Sequence, residues 1–402
     1  MIFVGVDWAE AHHDVCVLDE DGRVLSRGRI PDSLEGLRQF YRLVGDHEPE
    51  EVIIGIEKDR GQIVTALIAA GFTLYAINPM SASRYRDRHH AGGAKSDPGD
   101  AKMLADLVRT DRHNHRTVAA DSMLAEALKV LARSHQNLIW ERQRHANALR
   151  NALKDYYPAA LQALGVDLTS HDAIAVLSLA PTPADGLRLS KSRVVTALRR
   201  GGRQRSLERK AAEVLTALHV EQLRQPEILE RAYGRTTISE VRVIEMFAIQ
   251  IAELETDMAA HFEQHPDAKI IRSLLGRGMV LGARVLGEFG DDPNRYANAR
   301  SRKNYAGTSP ITRASGRSKV VLARHACNKR LVDALNQWAF CSLRMSPGAR
   351  RYYDELRARD KTHSVAIRQI ANRWVGVLHA CLENGCLYDE EIAWSRGQDL
   401  AA

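Results

Sequence analysis

The first 118 residues alternate short apolar runs with turn-forming residues. MIFVGVDWA, HDVCVLDEDG and RVLSRGRI read as three strands, and Asp21-Gly22 closes the second onto the third, which makes an antiparallel meander. SLEGLRQFYRLVG then shows helical apolar spacing. It is followed by the β-rich run EEVIIGIEK, the helix GQIVTALIAAG and the run FTLYAIN, ended by Pro79. From about Ala119 the strand signal stops, and the stretch from Asp121 reads as one long helix halted at Pro158. Residues 160–225 are mixed and support no assignment; they include the basic segment SKSRVVTALRRGGRQRSLERK, in which Gly201-Gly202 marks a break between helices. From Val243 onward, Ile244, Phe247, Ile251, Leu254, Met258 and His261 recur in steps of three and four, the seam of a short coiled coil. Such a seam needs a partner, either the 124–156 helix of the same chain or a second protomer. Pro266 precedes a distinctly basic last stretch. The pattern predicts three parts: an α/β domain over 1–118, a helical and coiled-coil region over 119–265, and a mainly helical C-terminal domain over 266–402.

Composition narrows the class. With 402 residues, 45% of them apolar, the chain can bury real cores and is not a disordered protein. Lys and Arg number 57 against 50 acids, a formal charge of +7, and the pI is near 9.2, which favours a polyanionic partner. No apolar run approaches the roughly 20 residues needed to cross a bilayer, and acid and histidine follow the N-terminus too early for a signal peptide, so a cytoplasmic protein without a membrane partner is expected. The five cysteines are odd in number and scattered, and the one close pair, Cys381 and Cys386, lacks a second pair to complete a zinc site. They read as reduced thiols.

The meander followed by alternating helix and strand is the order of a ribonuclease H-like fold, although another α/β fold would satisfy the pattern. In that fold the first and fourth strands are neighbours, so Asp7 on the first and Glu57 at the end of the fourth would converge. Asp97 and Asp100 open a helix in KSDPGDAKMLADLVRT and, three apart, share a face. Four carboxylates held together are stable only with cations between them. Two Mg²⁺ ions about 4 Å apart, or Mn²⁺ in their place, would activate the attacking oxygen and stabilise the leaving one in phosphoryl transfer. Taken alone, SDPGD is more often a cap than a ligand pair, with Asp97 before Pro98 as N-cap and Asp100 complementing the helix dipole. The conjunction of a strand Asp, a strand Glu and a helical Asp pair favours the metal reading.

In the C-terminal stretch, Leu275-Gly276-Arg277-Gly278 lies between two helical segments. The pattern fits a helix-hairpin-helix whose glycines let backbone N–H groups approach a phosphate, and equally a plain packing corner. Nine basic residues and no acid stand between Arg300 and Arg330: Arg300, Arg302, Lys303, Arg313, Arg317, Lys319, Arg324, Lys329 and Arg330. A solvated helix usually mixes signs, so an acid-free run points to nucleic-acid phosphates. Within it, Ser315 precedes Gly316 between Arg313 and Arg317, where a serine could attack a phosphodiester while the arginines hold its oxygens. Chemistry alone does not choose between Ser309, Ser315 and Ser318.

GVDWAE, GIEK, KSDPGDA, LLGRGMVLGARVLGEFGD and YAGTSPITRASG, in this order across nearly the whole chain, resemble the insertion-sequence transposases of the IS-one-ten type, also called DEDD transposases. The resemblance implies a RuvC-like domain whose metal set is Asp7, Glu57, Asp97 and Asp100, and a transposase domain whose catalytic serine is Ser315, covalently linked to DNA during the reaction. It also implies a structured guide RNA that pairs with donor and target DNA, and a homo-oligomer, dimer or tetramer, whose active site combines both domains. Two other functions fit the residues: a RuvC-like junction resolvase or hydrolytic nuclease that cuts with water, and a non-catalytic nucleic-acid-binding scaffold.

Overall fold

The computed structural model describes residues 1–89, 96–118, 121–276, 278–316, 318–325 and 327–395. The chain forms two compact units, Met1–Asp121 with Asp292–Arg295, and Ser122–Asp291 with Tyr296–Ala402.

The first unit is a mixed α/β layer. Its strands are β1 (Ile2–Trp8), β2 (His12–Leu18), β3 (Val24–Pro31), β4 (Val52–Ile56), β5 (Thr73–Ala76) and β6 (Arg116–Thr117), and its helices α1 (Leu34–Val44), α2 (Gln62–Ala69), α3 (Pro79–His89) and α4 (Asp97–Asp111). The sheet order is β3-β2-β1-β4-β5-β6. β1, β2 and β3 are antiparallel, while β4 and β5 run parallel to β1. The Asp21-Gly22 turn forms as read, with Gly22 at φ +83° and its N–H donating to the Asp19 carbonyl. Because the central strands are buried on both faces, β4 reads VIIGI, an unbroken apolar run. One face packs Val4, Val6, Ile54 and Ile56 on Phe40 and Leu67 of α1 and α2. The other packs Phe3, Cys16 and Ile53 on Leu104 and Val108 of α4. The two-residue β6 carried no strand signal, since Arg116-Thr117 is too short to show a period.

Among the described residues the second unit is helical apart from one hairpin. It comprises α5 (Met123–Tyr156), α6 (Pro158–Leu164), α7 (His171–Leu179), α8 (Pro183–Leu187), α9 (Lys191–Arg200), α10 (Leu207–Leu218) and α11 (Glu227–Gln264), then α12 (Ala268–Ser273), α13 (Met279–Phe289) and α14 (Ala299–Tyr305). After the strands β7 (Ile311–Ser315) and β8 (Ser318–Leu322) come α15 (Lys329–Ser342), α16 (Pro347–Ala358), α17 (His363–Glu383) and α18 (Glu390–Trp394). Its spine is α5 packed antiparallel on α11: His145 lies against Phe247 with ring centroids 5.5 Å apart, His135 Nε2 is 3.0 Å from Glu255, and Tyr156 stacks on Tyr233. Ile244, Ile251 and Met258 are buried in that seam. Of the two partners open from the heptad pattern, the structure selects α5 of the same chain, so the seam no longer argues for a second protomer. One end of the spine enters a core with α6–α10 around Leu149, Leu153, Val194 and Val214, which gives the unassigned 160–225 region its place. The other end enters a core around Trp338, Trp374 and Phe262. Each such buried aliphatic or aromatic side chain contributes about 1.5–3 kcal/mol. All five cysteines are free, and among the described residues no helix is long and apolar enough to cross a membrane.

Candidate active site

Two strands of the first unit carry the same short pattern, glycine-x-acid: Gly5-Val6-Asp7 on β1 and Gly55-Ile56-Glu57 at the end of β4. The strands are parallel with Gly5 opposite Gly55. Alternation therefore brings Asp7 and Glu57 to the same end and the same face as the glycines. That face is covered by α4, whose backbone approaches so closely that a Cβ on Gly5 would stand 1.9 Å from the Ala101 carbonyl oxygen, and one on Gly55 2.6 Å from that of Leu104. The glycine pair is thus the seat of α4, and the first turn of this helix carries Asp97 and Asp100.

The four acids meet electrostatically at Asp7. Burial first, then the charges of Asp100, Glu57, Asp97 and Asp14, push its carboxyl up to about 6. Asp97 is not the helix cap. Ser96 is, its Oγ accepting from the Gly99 N–H at 3.3 Å, and Asp97 is already helical. The capping alternative for Asp97 therefore fails, because the side chain one residue earlier takes that role. Asp97 is exposed, whereas Asp100 is buried and accepts from Arg86 of α3 at 2.7 Å.

Sequence reasoning missed the rest of the cluster. Asp7, Asp14 and Arg29 form one cross-strand row over β1, β2 and β3. Arg29 donates from Nε and Nη2 to the Asp14 carboxylate at 3.2 and 2.8 Å, and its Nη2 lies 3.6 Å from Asp97. His12, Asp14 and Asp97 each offer a ligand atom, all within 4.8 Å of one another. Lys58, beside Glu57, sits with Nζ 2.9 Å from the Trp8 ring centroid. The signal for Asp14 was faint, because the β1–β2 turn over Ala9–His12 holds no Gly, Asn or Pro to mark the register. Carboxylate oxygens with one imidazole suit a divalent cation, and the raised proton affinity of Asp7 reflects its burial first and then the repulsion that such an ion would relieve.

With this arrangement in view, comparison with known proteins is decisive. Residues 4–158 match a family model described as a transposase, the DEDD type of IS110, and residues 268–354 match one described as the transposase IS116/IS110/IS902 family. The chain is 40% identical over 400 residues to the "Mini-circle putative transposase for IS117" of Streptomyces coelicolor, covering 98% of this chain and 97% of that protein. The chain belongs to the IS110/IS116 transposase family. More distant relatives are the IS110 insertion-element 43.6 kDa protein of the same species, 28% identical over 100% of this chain and 98% of that one, and the IS900 insertion-element 42 kDa protein of Mycobacterium paratuberculosis, 28% identical over 96% and 97%.

In the second unit of the transposase, Ser315 ends β7. Nine of the ten residues of strands β7 and β8 are exposed, Ile311 being half-buried. Ser315 pairs with Ser318 across a turn in which Gly316 takes φ +54°, and alternation puts Arg313 on the face of Ser315 and Lys319 on the other. Ser309 precedes the hairpin, its N–H donating to the Lys303 carbonyl at 3.4 Å. Arg300, Arg313, Lys319 and Lys329 are exposed. Arg302 is a correction to the expected phosphate-binding set: it is 8% exposed and lies over the rings of Tyr296 and Phe289, at 4.7 and 5.4 Å. Lys303 is half-buried, its ammonium weakened by burial and by Arg373. Arg324 donates to Asn304 at 3.3 Å, and Arg330 to Asn137 at 2.7 Å while covering the Trp140 ring. Arg277 and Arg317 lie outside the described residues. In the segment read as a helix-hairpin-helix, Gly276 is at φ +84° and a Cβ there would stand 2.5 Å from the Ser342 nitrogen. This glycine serves packing on α15, whereas Gly278, at the start of α13, faces open space.

Proposed function

We propose that the transposase cuts and rejoins DNA with a divalent-metal site made by Asp7, Glu57, Asp97 and Asp100, and with Ser315 as nucleophile. The observation that carries this reading is the convergence of the carboxylates on Asp7, held by an α4 seated on two glycines. The strand order, with three antiparallel strands followed by two parallel ones, supports a RuvC-like, ribonuclease H-like domain. Bound among the carboxylates, Mg²⁺ (or Mn²⁺) would stabilise negative charge on the reacting phosphodiester. His12 and Asp14 extend the donor set, while Arg29 and Arg86 orient Asp14 and Asp100 through their hydrogen bonds.

Ser315 stands at an exposed turn with Arg313 on its face. Its Oγ attacks phosphorus, forming a serine–phosphate ester as the bond to one sugar oxygen breaks; the serine proton passes to solvent and the sugar oxygen takes one up. The hydroxyl of a second strand then attacks the ester, and Ser315 leaves with a proton. The ester keeps the bond energy, so no nucleotide cofactor is required. The exposed cations Arg300, Arg313, Lys319 and Lys329 bind phosphates of donor and target DNA. A structured guide RNA as a source of sequence specificity, and a homo-oligomer as the working form, rest on the family resemblance alone. The gathering of carboxylates around Asp7 within the first unit favours a second reading, hydrolytic cutting by water with Ser315 idle.

Purified protein incubated with Mg²⁺, its co-purified RNA and labelled DNA spanning the element junction, resolved on a denaturing gel, separates the two. A DNA–protein adduct that disappears in Ser315→Ala establishes the serine route. Free ends without adduct in either protein, lost in Asp7→Ala, establish hydrolysis.

A further inference from the structure

A groove of about 930 Å³ opens in the second unit between α7, α9 and α11. Arg193, Thr196, Ala197 and Arg200 line one wall, at the i, i+3, i+4, i+7 spacing of a single helix face. The floor is apolar and small: Ala175, Ala248 and Ile249, the last 55% exposed despite its size. Glu245 on α11 is the groove's one acidic lining residue. Neighbouring Arg203 is taken by Asp172, with Nη2 and Nε on its carboxylate. Arg193 and Arg200 are exposed and have no carboxylate partner among the described residues. Between Gly186 and Leu207 the chain has seven basic residues and no acid, a second acid-free tract besides that around Ser315.

We infer that this groove holds an unpaired stretch of DNA, phosphates on Arg193 and Arg200 and one base over the Ala248–Ile249 floor. Charge selects the ligand: two uncompensated guanidiniums on one wall call for a polyanion. The slot is in the size range of small-molecule pockets, enough for a nucleotide and far too small for a duplex. Over seven residues the helix rises about 10.5 Å, a separation that lets the two arginines reach separate phosphates of an extended strand. Glu245 opposite them accepts from a base amino group. DNA is chosen over RNA because strand transfer by a transposase leaves single DNA strands to be held. The inference does not depend on which group is the nucleophile.

Full-length protein titrated with a fluorescein-labelled 12-nucleotide single-stranded DNA of mixed sequence, by anisotropy at several salt concentrations, tests it. Arg193→Gln/Arg200→Gln is expected to weaken binding about tenfold or more and to lower the salt slope by about 1.4, the value for two phosphates on a single strand. Ala248→Phe fills the groove without changing charge and should weaken binding comparably; Thr196→Phe replaces it if that variant melts early. Unchanged binding in the double arginine variant overturns the inference. Loss in that variant but full binding by both folded groove-filling variants reduces the site to surface charge and overturns it as well. Tighter binding of RNA of the same sequence overturns the assignment to DNA. Adduct formation in these variants on pre-nicked junctions reports separately on the Ser315 reading.

Discussion

Asp7 is the residue on which the candidate chemistry is most exposed to test. Its carboxyl, pushed up to about 6 by burial and four neighbouring acids, holds a proton in the folded state that the unfolded chain releases near 3.8. The favourable contribution is therefore complete below about pH 4 and lost as pH rises through about 6. Above pH 6 and without divalent metal, Asp7→Asn should stabilise the protein by about 1–2 kcal/mol once solvent screening of a half-buried group is allowed for. The gap to wild type should close between pH 6 and 4. Melting curves across pH check the sign, and added Mg²⁺ should raise the melting temperature of wild type but not of the variant. The basic residues divide by a simpler criterion. Arg302 is enclosed by Phe289 and Tyr296, so Arg302→Ala should cost about 2–4 kcal/mol in stability. Arg313→Ala, on an exposed strand, should leave the melting temperature within about half a kcal/mol equivalent and weaken DNA binding, with a salt slope reduced by about 1. Equal effects of the two changes on stability would contradict this division.

At the scale of the element, the site depends on how α4 meets the sheet. Gly5 and Gly55 leave no side chain between strand and helix, which sets the depth of the helix and with it the positions of Asp97 and Asp100. Gly5→Ala would place a methyl inside the Ala101 carbonyl, and the expected response is a displaced α4 at a cost of about 1–3 kcal/mol or more. Divalent-metal affinity and DNA cutting should fall together in a variant that still melts cooperatively. Retained Mg²⁺ binding would show that the helix position is not what assembles the carboxylates. The Gly-x-acid pattern is present in the one-dimensional chain at both Gly5 and Gly55. Its purpose is not legible there, because the residue that each glycine accommodates is about fifty to a hundred positions away.

For the whole molecule, the α5–α11 spine links two cores of the helical unit. Ile251 is buried between the two helices. Ile251→Asp should therefore lower stability by several kcal/mol, since a charge would be enclosed without a partner. The oligomeric state measured by light scattering at a temperature below the melt should not change. A folded protein of lower mass would instead place this seam between protomers. The groove on α7, α9 and α11 belongs to this scale as well, because its walls are assembled only when the 160–225 helices fold back on the spine.

What the sequence determined by itself was whatever has a short period or a local chemical signature. The strands of the meander, the 34-residue α5, the seam on α11 and the Asp21-Gly22 turn are of this kind, and so are the acid types at positions 7, 57, 97 and 100. Periodicity and turn propensity act over a few residues, so they survive without knowledge of distant partners. The tertiary structure alone decided which long-range neighbour each pattern meets. Ser96 rather than Asp97 became the cap; α5 rather than another protomer filled the seam; Asp14 and Arg29 joined the carboxylates through strand register. Arg302, equivalent to its basic neighbours in sequence, was drawn into an aromatic cage. These outcomes depend on which surfaces exclude water together, and a one-dimensional pattern contains the faces but not their pairing.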